Sequence, residues 1–244
     1  MPDPTAAMLV IGDEILSGRT RDSNMHHLAG ELTRVGIDLQ EVRVVPDRHE
    51  RIRAAVTALS AGHDHLFTSG GIGPTHDDIT ADAVAEAMGA SIGVRADARA
   101  LLEAHYAKSD QVLNEARLRM ARIPQGAELI DNPVSAAPGF TLGNVHVMAG
   151  VPAIFQAMVA SVLPRLTGGT PVISRTLRVE RPEGDVAGPL GETAAAYPDL
   201  SFGSYPFIRN GVFGTNLVVR GQDADRLAGG VAALARALPE AVEE

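Results

Sequence analysis

Short apolar runs alternate with segments of helical periodicity over the first 166 residues, and this alternation constrains the fold more than any other feature. The run at 6–11 is too short for a free-standing helix and suits a strand that is buried on both faces. From Met25 to Val35, apolar residues recur at steps of three and four, which predicts an amphipathic helix ended by Gly36. The chain therefore begins as a β-α unit of an α/β protein.

The same order continues along the chain. The sequence predicts further strands at 42–45, 65–68 and 145–148, and further helices at about 52–62, 78–88 and 153–166. Strands that alternate with helices imply right-handed crossovers, because a crossover of that hand packs the helix back onto the sheet. We expect a three-layer α/β fold in which a mainly parallel sheet carries helices on both faces.

A second domain is expected after the turn-prone segment 167–171. Beyond it, the pattern predicts a strand at 172–179, a helix at 185–196, strands at 201–208 and 212–220, and a helix at 223–238. Asn210-Gly211 between the last two strands is a hairpin signal. We therefore divide the chain into an α/β domain, 1–167, and a small α+β domain, 172–244.

Composition excludes several classes of protein. The net charge is −9, aromatic residues are 4% of the chain and no run of Lys or Arg could neutralise phosphates, so we expect no nucleic-acid partner. The chain has no cysteine, which removes disulfides, thiolate nucleophiles and cysteine metal sites. No apolar run approaches the ~18 residues of a membrane span and the first residues lack a basic region, so we expect a cytoplasmic protein without a membrane partner.

A glycine-rich segment at 68–80 joins a predicted strand to a predicted helix. In open α/β sheets, ligands bind at the carboxyl ends of strands, and Gly70, Gly71 and Gly73 offer bare backbone N–H groups to a phosphate. Asp77 and Asp78 follow at the same place, where carboxylates would repel a phosphate. A divalent cation such as Mg²⁺ between the two resolves this repulsion. The alternative is that the aspartates only cap the helix.

The segment Gly70-Gly71-Ile72-Gly73-Pro74-Thr75-His76-Asp77-Asp78-Ile79-Thr80 resembles the Gly-Gly-x-Gly-Pro-Thr-x-Asp-Asp-x-Thr signature of one family. That family is the molybdopterin-binding-like domain of the CinA (competence/damage-inducible) proteins. Gly12-Asp13-Glu14-Ile15-Leu16-Ser17-Gly18 is similar to its opening block, and Asn24 follows at the expected place. Ala137-Pro138-Gly139-Phe140 and Gly150-Val151-Pro152 match two later blocks, so the resemblance covers about 6–166.

The chain departs from the family pattern at a few positions. Ser135 and Ala136 stand where many relatives have Gly and Thr, Met120 where Gln is usual, and Ala149 where Pro is usual. The tail has the element order of the small KH-like domain that follows in CinA proteins. The C-terminal amidohydrolase domain of full-length CinA is not expected within these residues, so deamidation of nicotinamide mononucleotide is not carried over.

The resemblance implies a single ligand site. It places metal-binding and catalytic roles on Asp77 and Asp78. It assigns ligand or phosphate contacts to Gly70, Gly71, Gly73, Pro74, Thr75, Asp13, Glu14, Asn24, Pro138 and Gly139. Because the carboxyl ends of neighbouring parallel strands meet at one edge, Asp13 and Glu14 are expected to face the same crevice. The alternative for these two residues is a solvated turn.

The family implies two functions for such a site. One is divalent-metal-dependent hydrolysis of ADP-ribose or a related dinucleotide pyrophosphate such as FAD, with Mg²⁺ or a similar cation as cofactor, and we prefer it. The alternative is non-catalytic binding of molybdopterin in molybdenum cofactor biosynthesis. RNA binding by the KH-like tail is disfavoured, because the tail lacks a Gly-x-x-Gly loop with basic flanks. We expect a small phosphorylated ligand and a homo-oligomer.

Two other clusters are weaker candidates. His63-Asp64-His65 lies at the start of the third strand, opposite the ligand-binding end, and is expected to be a solvated turn. Arg117, Arg119 and Arg122 form a basic cluster on a helical stretch, which either reaches an anionic ligand or forms a solvated face.

Overall fold

The computed structural model describes residues 3–108 and 111–244. The chain divides into two compact units, Met1–Gly169 and Thr170–Glu244. Within the residues described, no helix has both the length and the apolar character needed to cross a membrane.

The first unit contains eight strands and seven α-helices in the described part of the chain. The strands are β1 (Thr5–Ile11), β2 (Asp38–Val45), β3 (His65–Ser69), β4 (Ile92–Val94), β5 (Arg122–Pro124), β6 (Glu128–Ile130), β7 (Gly139–Leu142) and β8 (Val145–Met148). The helices are α1 (Asp13–Leu16), α2 (Asn24–Arg34), α3 (His49–Gly62), α4 (Thr80–Ala87), α5 (Ala96–Tyr106), α6 (Glu115–Leu118) and α7 (Pro152–Val162). Short 3₁₀ helices lie at Arg119–Ala121 and Leu163–Arg165.

One sheet of six strands in the order β2-β1-β3-β8-β7-β6 organises this unit. The strands β2, β1, β3 and β8 are parallel to one another, while β7 and β6 continue the sheet in antiparallel pairing. The mainly parallel sheet is therefore confirmed, but its antiparallel edge was not predicted. A separate antiparallel pair, β4-β5, was not predicted either.

Helices cover both faces of the sheet, which confirms the three-layer prediction. On one face, Leu28 of α2 and Phe155 of α7 pack with Phe67. On the other face, Leu59 of α3 and Leu102 of α5 pack with the strands. Each such fully buried side chain contributes roughly 1.5 to 3 kcal/mol through its burial. Because β1, β2, β3 and β8 run the same way, the loops that follow them meet at one edge of the sheet.

The helix predicted at 78–88 begins two residues later, at Thr80. The reason is a tight turn, in which the Asp78 carboxylate accepts a hydrogen bond from the Thr75 backbone N–H at 2.8 Å. No side chain caps α4, so the alternative that Asp77 and Asp78 serve as its caps is wrong. The helix predicted at 153–166 likewise ends at Val162 and gives way to the 3₁₀ helix.

A buried histidine pair lies away from the strand ends that face the ligand-binding edge. His146 on β8 is 3% exposed, and its ring nitrogens lie 3.0 Å from the Thr141 hydroxyl and 3.3 Å from Nδ1 of His65. His65 is half-buried and contacts the Phe67 ring, so the expectation of a solvated turn is wrong for this residue. Burial, and to a smaller extent the neighbouring His65, lowers the pKa of His146 to about 3.

Acid is expected to destabilise the first unit through His146. A histidine pKa that is lower in the folded than in the unfolded chain stabilises the fold above pH 6.5, and this stability is lost as the pH falls towards 3. The loss is about 1.4 kcal/mol per pH unit, or about 2 kcal/mol at pH 5. Urea unfolding at pH 7 and pH 5 checks this. His146→Gln should remove most of the difference in unfolding free energy between the two pH values. The exposed control His26→Gln should retain the difference, and equal pH dependence in all three proteins would contradict the assignment.

The second unit is a four-stranded antiparallel sheet with two helices. Its elements are β9 (Ile173–Val179), α8 (Glu183–Ala196), β10 (Ser201–Arg209), β11 (Val212–Gly221), α9 (Ala224–Ala237) and β12 (Val242–Glu243). The strand order is β10-β11-β9-β12, and residues such as Leu177, Leu217 and Leu234 form the core. The predicted β-α-β-β-α order is confirmed, while the two-residue strand β12 at the end was not predicted.

Candidate functional site

Four loops at the carboxyl edge of the sheet of the first unit line a cavity of about 530 Å³, together with Met120 and the segment 132–137. These loops follow β1, β2, β3 and β8, as the parallel topology requires. Seven of the predicted site residues line the cavity, namely Glu14, Gly70, Gly71, Gly73, Pro74, Asp77 and Asp78. The structure therefore brings the glycine loop and three of the predicted carboxylates together.

The glycine loop needs glycine for steric reasons. Gly70 has φ 110° and Gly71 has φ 69°, and residues with a Cβ rarely adopt such backbone angles. A Cβ on Gly70 would lie 2.2 Å from the Ile11 carbonyl oxygen, and one on Gly71 would lie 2.1 Å from the Thr80 hydroxyl oxygen. The Gly70 N–H donates to the Met148 carbonyl at 3.1 Å and is thus already used within the protein. Gly70 accordingly lets the loop approach the sheet closely.

Thr75 organises the two aspartates. Its hydroxyl lies 2.6 Å from Oδ2 of Asp78 and also contacts the Asp77 carboxylate. The hydrogen bond from Thr75 lowers the pKa of Asp77. Thr75 is exposed and is not among the residues that line the cavity. It therefore orients the acidic pair rather than forming part of the cavity wall.

Asp47 is a further cavity residue that our sequence interpretation missed. It follows β2, and its carboxylate accepts the backbone N–H of Asp13 at 2.8 Å, which fixes the start of α1. Burial raises the pKa of Asp47, and the negative charges of Glu14, Asp13 and Asp77 raise it further. A usable signal existed in the sequence, because Asp47 comes two residues after a predicted parallel strand, as Asp13 does.

All the charged residues that line the cavity are acidic. The charged residues in its wall are Glu14, Asp47, Asp77 and Asp78, and within the described part of the chain no Lys, Arg or His lines it. Residues 3–108 and 111–244 contain no group of three or more His, Asp or Glu side chains that could by themselves hold a metal ion. A cation here would need oxygen ligands from a bound ligand as well.

The apolar residues of the cavity wall include Ile72, Ala137 and Ile154. The loop beside Ala137 is held by Asn132, whose buried amide donates to the Ala137 carbonyl at 2.7 Å and accepts from the Val134 and Ser135 N–H groups. Ala136 in this loop has φ 59°, which is unusual for a residue other than glycine. The altered residues Ser135 and Ala136 thus lie in or beside the cavity wall.

The remaining predicted residues lie outside the cavity wall. Asn24 is 3% exposed and donates to the Ser69 hydroxyl and the Gly150 carbonyl, both at 2.8 Å, so it ties the ends of β3 and β8 together. Asp13 contributes its backbone N–H to Asp47, as described above. Pro138 borders a second, smaller cavity, and Gly139 has no room for a Cβ because the Val147 carbonyl oxygen would lie 2.4 Å away.

A family model matches each of the two units. A family model described as "Probable molybdopterin binding domain" matches residues 7–168, and one described as "FAD synthase, middle domain" matches residues 171–244. Among solved structures, the first part of the chain is similar to the protein CinA from Thermoplasma acidophilum. The two share 32% identity with a TM-score of 0.61 over 66% of this chain and 98% of the other.

Two of the curated relatives are much longer than this chain. A CinA-like protein of Citrifermentans bemidjiense is 39% identical over 66% of this chain and 40% of its own length. A protein named "Probable FAD synthase" from Caenorhabditis elegans is 30% identical over 91% of this chain and 48% of its own length. The chain thus spans about half or less of these relatives.

Proposed function

Because the chain belongs to the molybdopterin-binding domain family and resembles CinA-like proteins as predicted, we propose that its first unit hydrolyses a dinucleotide pyrophosphate with a divalent cation. The substrate class is ADP-ribose or a related molecule such as FAD. The observation that carries the proposal is the acidic wall, since Glu14, Asp47, Asp77 and Asp78 line one cavity beside a glycine loop. Carboxylates beside an anion-binding loop can contribute to ligand binding when a cation binds both the carboxylates and the phosphate.

The residues present fit a divalent cation. Mg²⁺ prefers oxygen ligands and is usually bound by one or two carboxylates together with substrate phosphates. Burial raises the pKa of Asp47, and the neighbouring negative charges of Glu14, Asp13 and Asp77 raise it further. Asp77 and Asp78 are the proposed ligands, because Thr75 holds their carboxylates beside each other. The chemistry that the bound cation supplies is polarisation of the pyrophosphate and activation of water.

Other cavity residues have distinct roles in this proposal. The backbone at Gly71 and Gly73 approaches the phosphates closely, because neither residue has a side chain. Asp47 is the proposed acceptor of the proton from the attacking water, since burial raises its pKa towards that of a general base. The apolar wall around Ile72 and Ile154 packs against the ring system of the ligand and excludes water.

The relatives support a nucleotide as the ligand. The similarity to a protein named FAD synthase extends over 91% of this chain, and the second unit matches the middle domain of such enzymes. FAD and ADP-ribose share an ADP moiety, and therefore the same pyrophosphate group. This common group is the part of the ligand that the glycine loop and the carboxylates would bind.

The alternative is non-catalytic binding of molybdopterin. One observation favours it, because the described residues contain no set of three metal-ligating side chains that could hold a cation without a ligand. In that case the glycine loop holds the phosphate of the pterin and releases it unchanged.

An assay of AMP release distinguishes the two functions. The purified protein is incubated with ADP-ribose and, separately, with FAD, in the presence of Mg²⁺ or Co²⁺ and in the presence of a chelator. We expect release of AMP that depends on the metal and stops when the chelator is added. Absence of AMP from well-folded protein, together with metal-independent binding of molybdopterin in a calorimeter, would establish the alternative.

A further inference from the structure

A second, smaller cavity lies on the other side of the glycine loop. Its volume is about 20 Å³, enough for about one water molecule. It shares Gly71, Ile72, Gly73, Asp78 and Met120 with the wall of the larger cavity. Met120 has an unbranched and flexible side chain. This side chain therefore forms a movable part of the partition between the two cavities.

Arg119 borders this smaller cavity and is incompletely bonded. Its Nη2 donates to the Asp78 carbonyl at 3.3 Å, whereas its Nε is buried and has no hydrogen-bond partner among the described residues. A buried donor without a partner is costly, and native proteins rarely keep one without a reason. Within the described chain, no carboxylate forms an ion pair with Arg119.

The neighbouring arginines are used differently. Arg122 pairs with Asp82, and Arg117 bonds Gln111 and the Val112 carbonyl while its guanidinium lies over the Tyr106 ring. Of the three arginines in this cluster, Arg119 alone has neither a carboxylate nor a side-chain acceptor. Among the described residues, its guanidinium therefore has no ion-pair partner next to the glycine loop.

A pyrophosphate in the larger cavity would require a further positive charge nearby. Four carboxylates line it, and a pyrophosphate brings further negative charge, whereas one divalent cation supplies only two positive charges. An arginine suits the negative charge that the cation leaves unbalanced, because its planar guanidinium donates two parallel hydrogen bonds to phosphate oxygens.

We propose that Arg119 is the side chain that binds the pyrophosphate of the ligand, donating from Nε and one Nη across the partition at Met120. This inference rests on the proposed function, since it assumes a pyrophosphate at the glycine loop. In this arrangement Arg119 selects phosphorylated ligands, and its bond to the Asp78 carbonyl couples phosphate binding to the acidic loop.

Calorimetric binding of inorganic pyrophosphate, ADP-ribose and adenosine in the presence of Mg²⁺ tests the proposal. Arg119→Gln is expected to weaken pyrophosphate and ADP-ribose binding by about 10- to 100-fold, the range for a lost charge-assisted hydrogen bond. It should leave the affinity for adenosine unchanged and lower the dependence of ADP-ribose binding on salt. Arg119→Lys keeps the charge and should recover part of the loss.

Arg117→Gln is the matched control, because it removes the same charge two residues away. Thermal unfolding of each variant checks that it is folded. If Arg119→Gln binds pyrophosphate with the wild-type affinity, the role of Arg119 is overturned and the proposed function is not. An equal loss of affinity for all three ligands would show that Arg119 only supports the loop. A wild-type protein that binds neither pyrophosphate nor ADP-ribose would instead overturn the proposed function, and the role of Arg119 with it.

Discussion

Replacing Gly70 by alanine is expected to lower the free energy of unfolding of the first unit by about 3 to 5 kcal/mol. Two costs add. The backbone at Gly70 has φ 110°, a conformation that is strained for any residue with a Cβ. In addition, the new Cβ would lie 2.2 Å from the Ile11 carbonyl oxygen, which belongs to a central strand and cannot move without disturbing the sheet.

Gly18 provides the matched control for this experiment. It has φ 72°, but no atom lies within 4 Å of the position that its Cβ would take. Gly18→Ala should therefore cost only the backbone strain, about 1 to 2 kcal/mol. Urea unfolding of the two variants isolates the close approach of the loop to β1. Equal losses in the two variants would show that this close approach does not exist.

The fold was predictable where the elements are long or fully buried. The runs that became β1, β3 and β8 are bounded by turn residues, and α2 shows the period of a helix over three turns. The strands β4, β5 and β6 contain three residues each, which is shorter than any periodic pattern can reveal. Their pairing depends on tertiary contacts, since β4 pairs only with β5 and β6 pairs with β7 at the edge of the larger sheet.

The candidate site was predictable in its chain location and less so in its individual contacts. The rule that loops after parallel strands meet at one edge places Glu14 beside Asp77 and Asp78, as the structure does. The same rule applied to β2 would have found Asp47. Nothing in the sequence indicates that the Asn24 amide joins the ends of β3 and β8, as it does in the structure.

Asp47 illustrates why local pattern does not reveal the energetics of a site. Its raised pKa arises from burial and from charges on two separate segments, Glu14 and Asp13 on α1 and Asp77 on the loop after β3. These residues are up to 64 positions apart in the sequence, from Asp13 to Asp77. A surplus of negative charge of this kind opposes folding and is tolerated at sites that bind a cation. This conflict between stability and function can be measured directly.

Asp47→Asn is expected to stabilise the metal-free protein and to abolish most of its hydrolytic activity. The asparagine Oδ1 can still accept the Asp13 N–H, while the charge that repels Glu14, Asp13 and Asp77 is removed. The gain in unfolding free energy should be about 0.5 to 1 kcal/mol in chelator at pH 7. A raised carboxyl pKa disfavours the ionised folded form, so the gain should disappear as acid protonates Asp47 in the wild type.

Mg²⁺ together with inorganic pyrophosphate should reverse this order of stability, because a ligand that binds only the folded state stabilises it. At 100 times the apparent dissociation constant, the bound pair would add about 2.7 kcal/mol to the wild type. The variant should gain less, because the cation loses the attraction of the Asp47 charge. AMP release from ADP-ribose should fall about 100-fold or more, the scale for a lost general base. Asp38→Asn is the charge-matched control, since Asp38 begins β2 at the opposite edge of the sheet and should change neither quantity. Lower stability of Asp47→Asn in chelator would refute the repulsion, and retained activity would refute the role of Asp47 as proton acceptor.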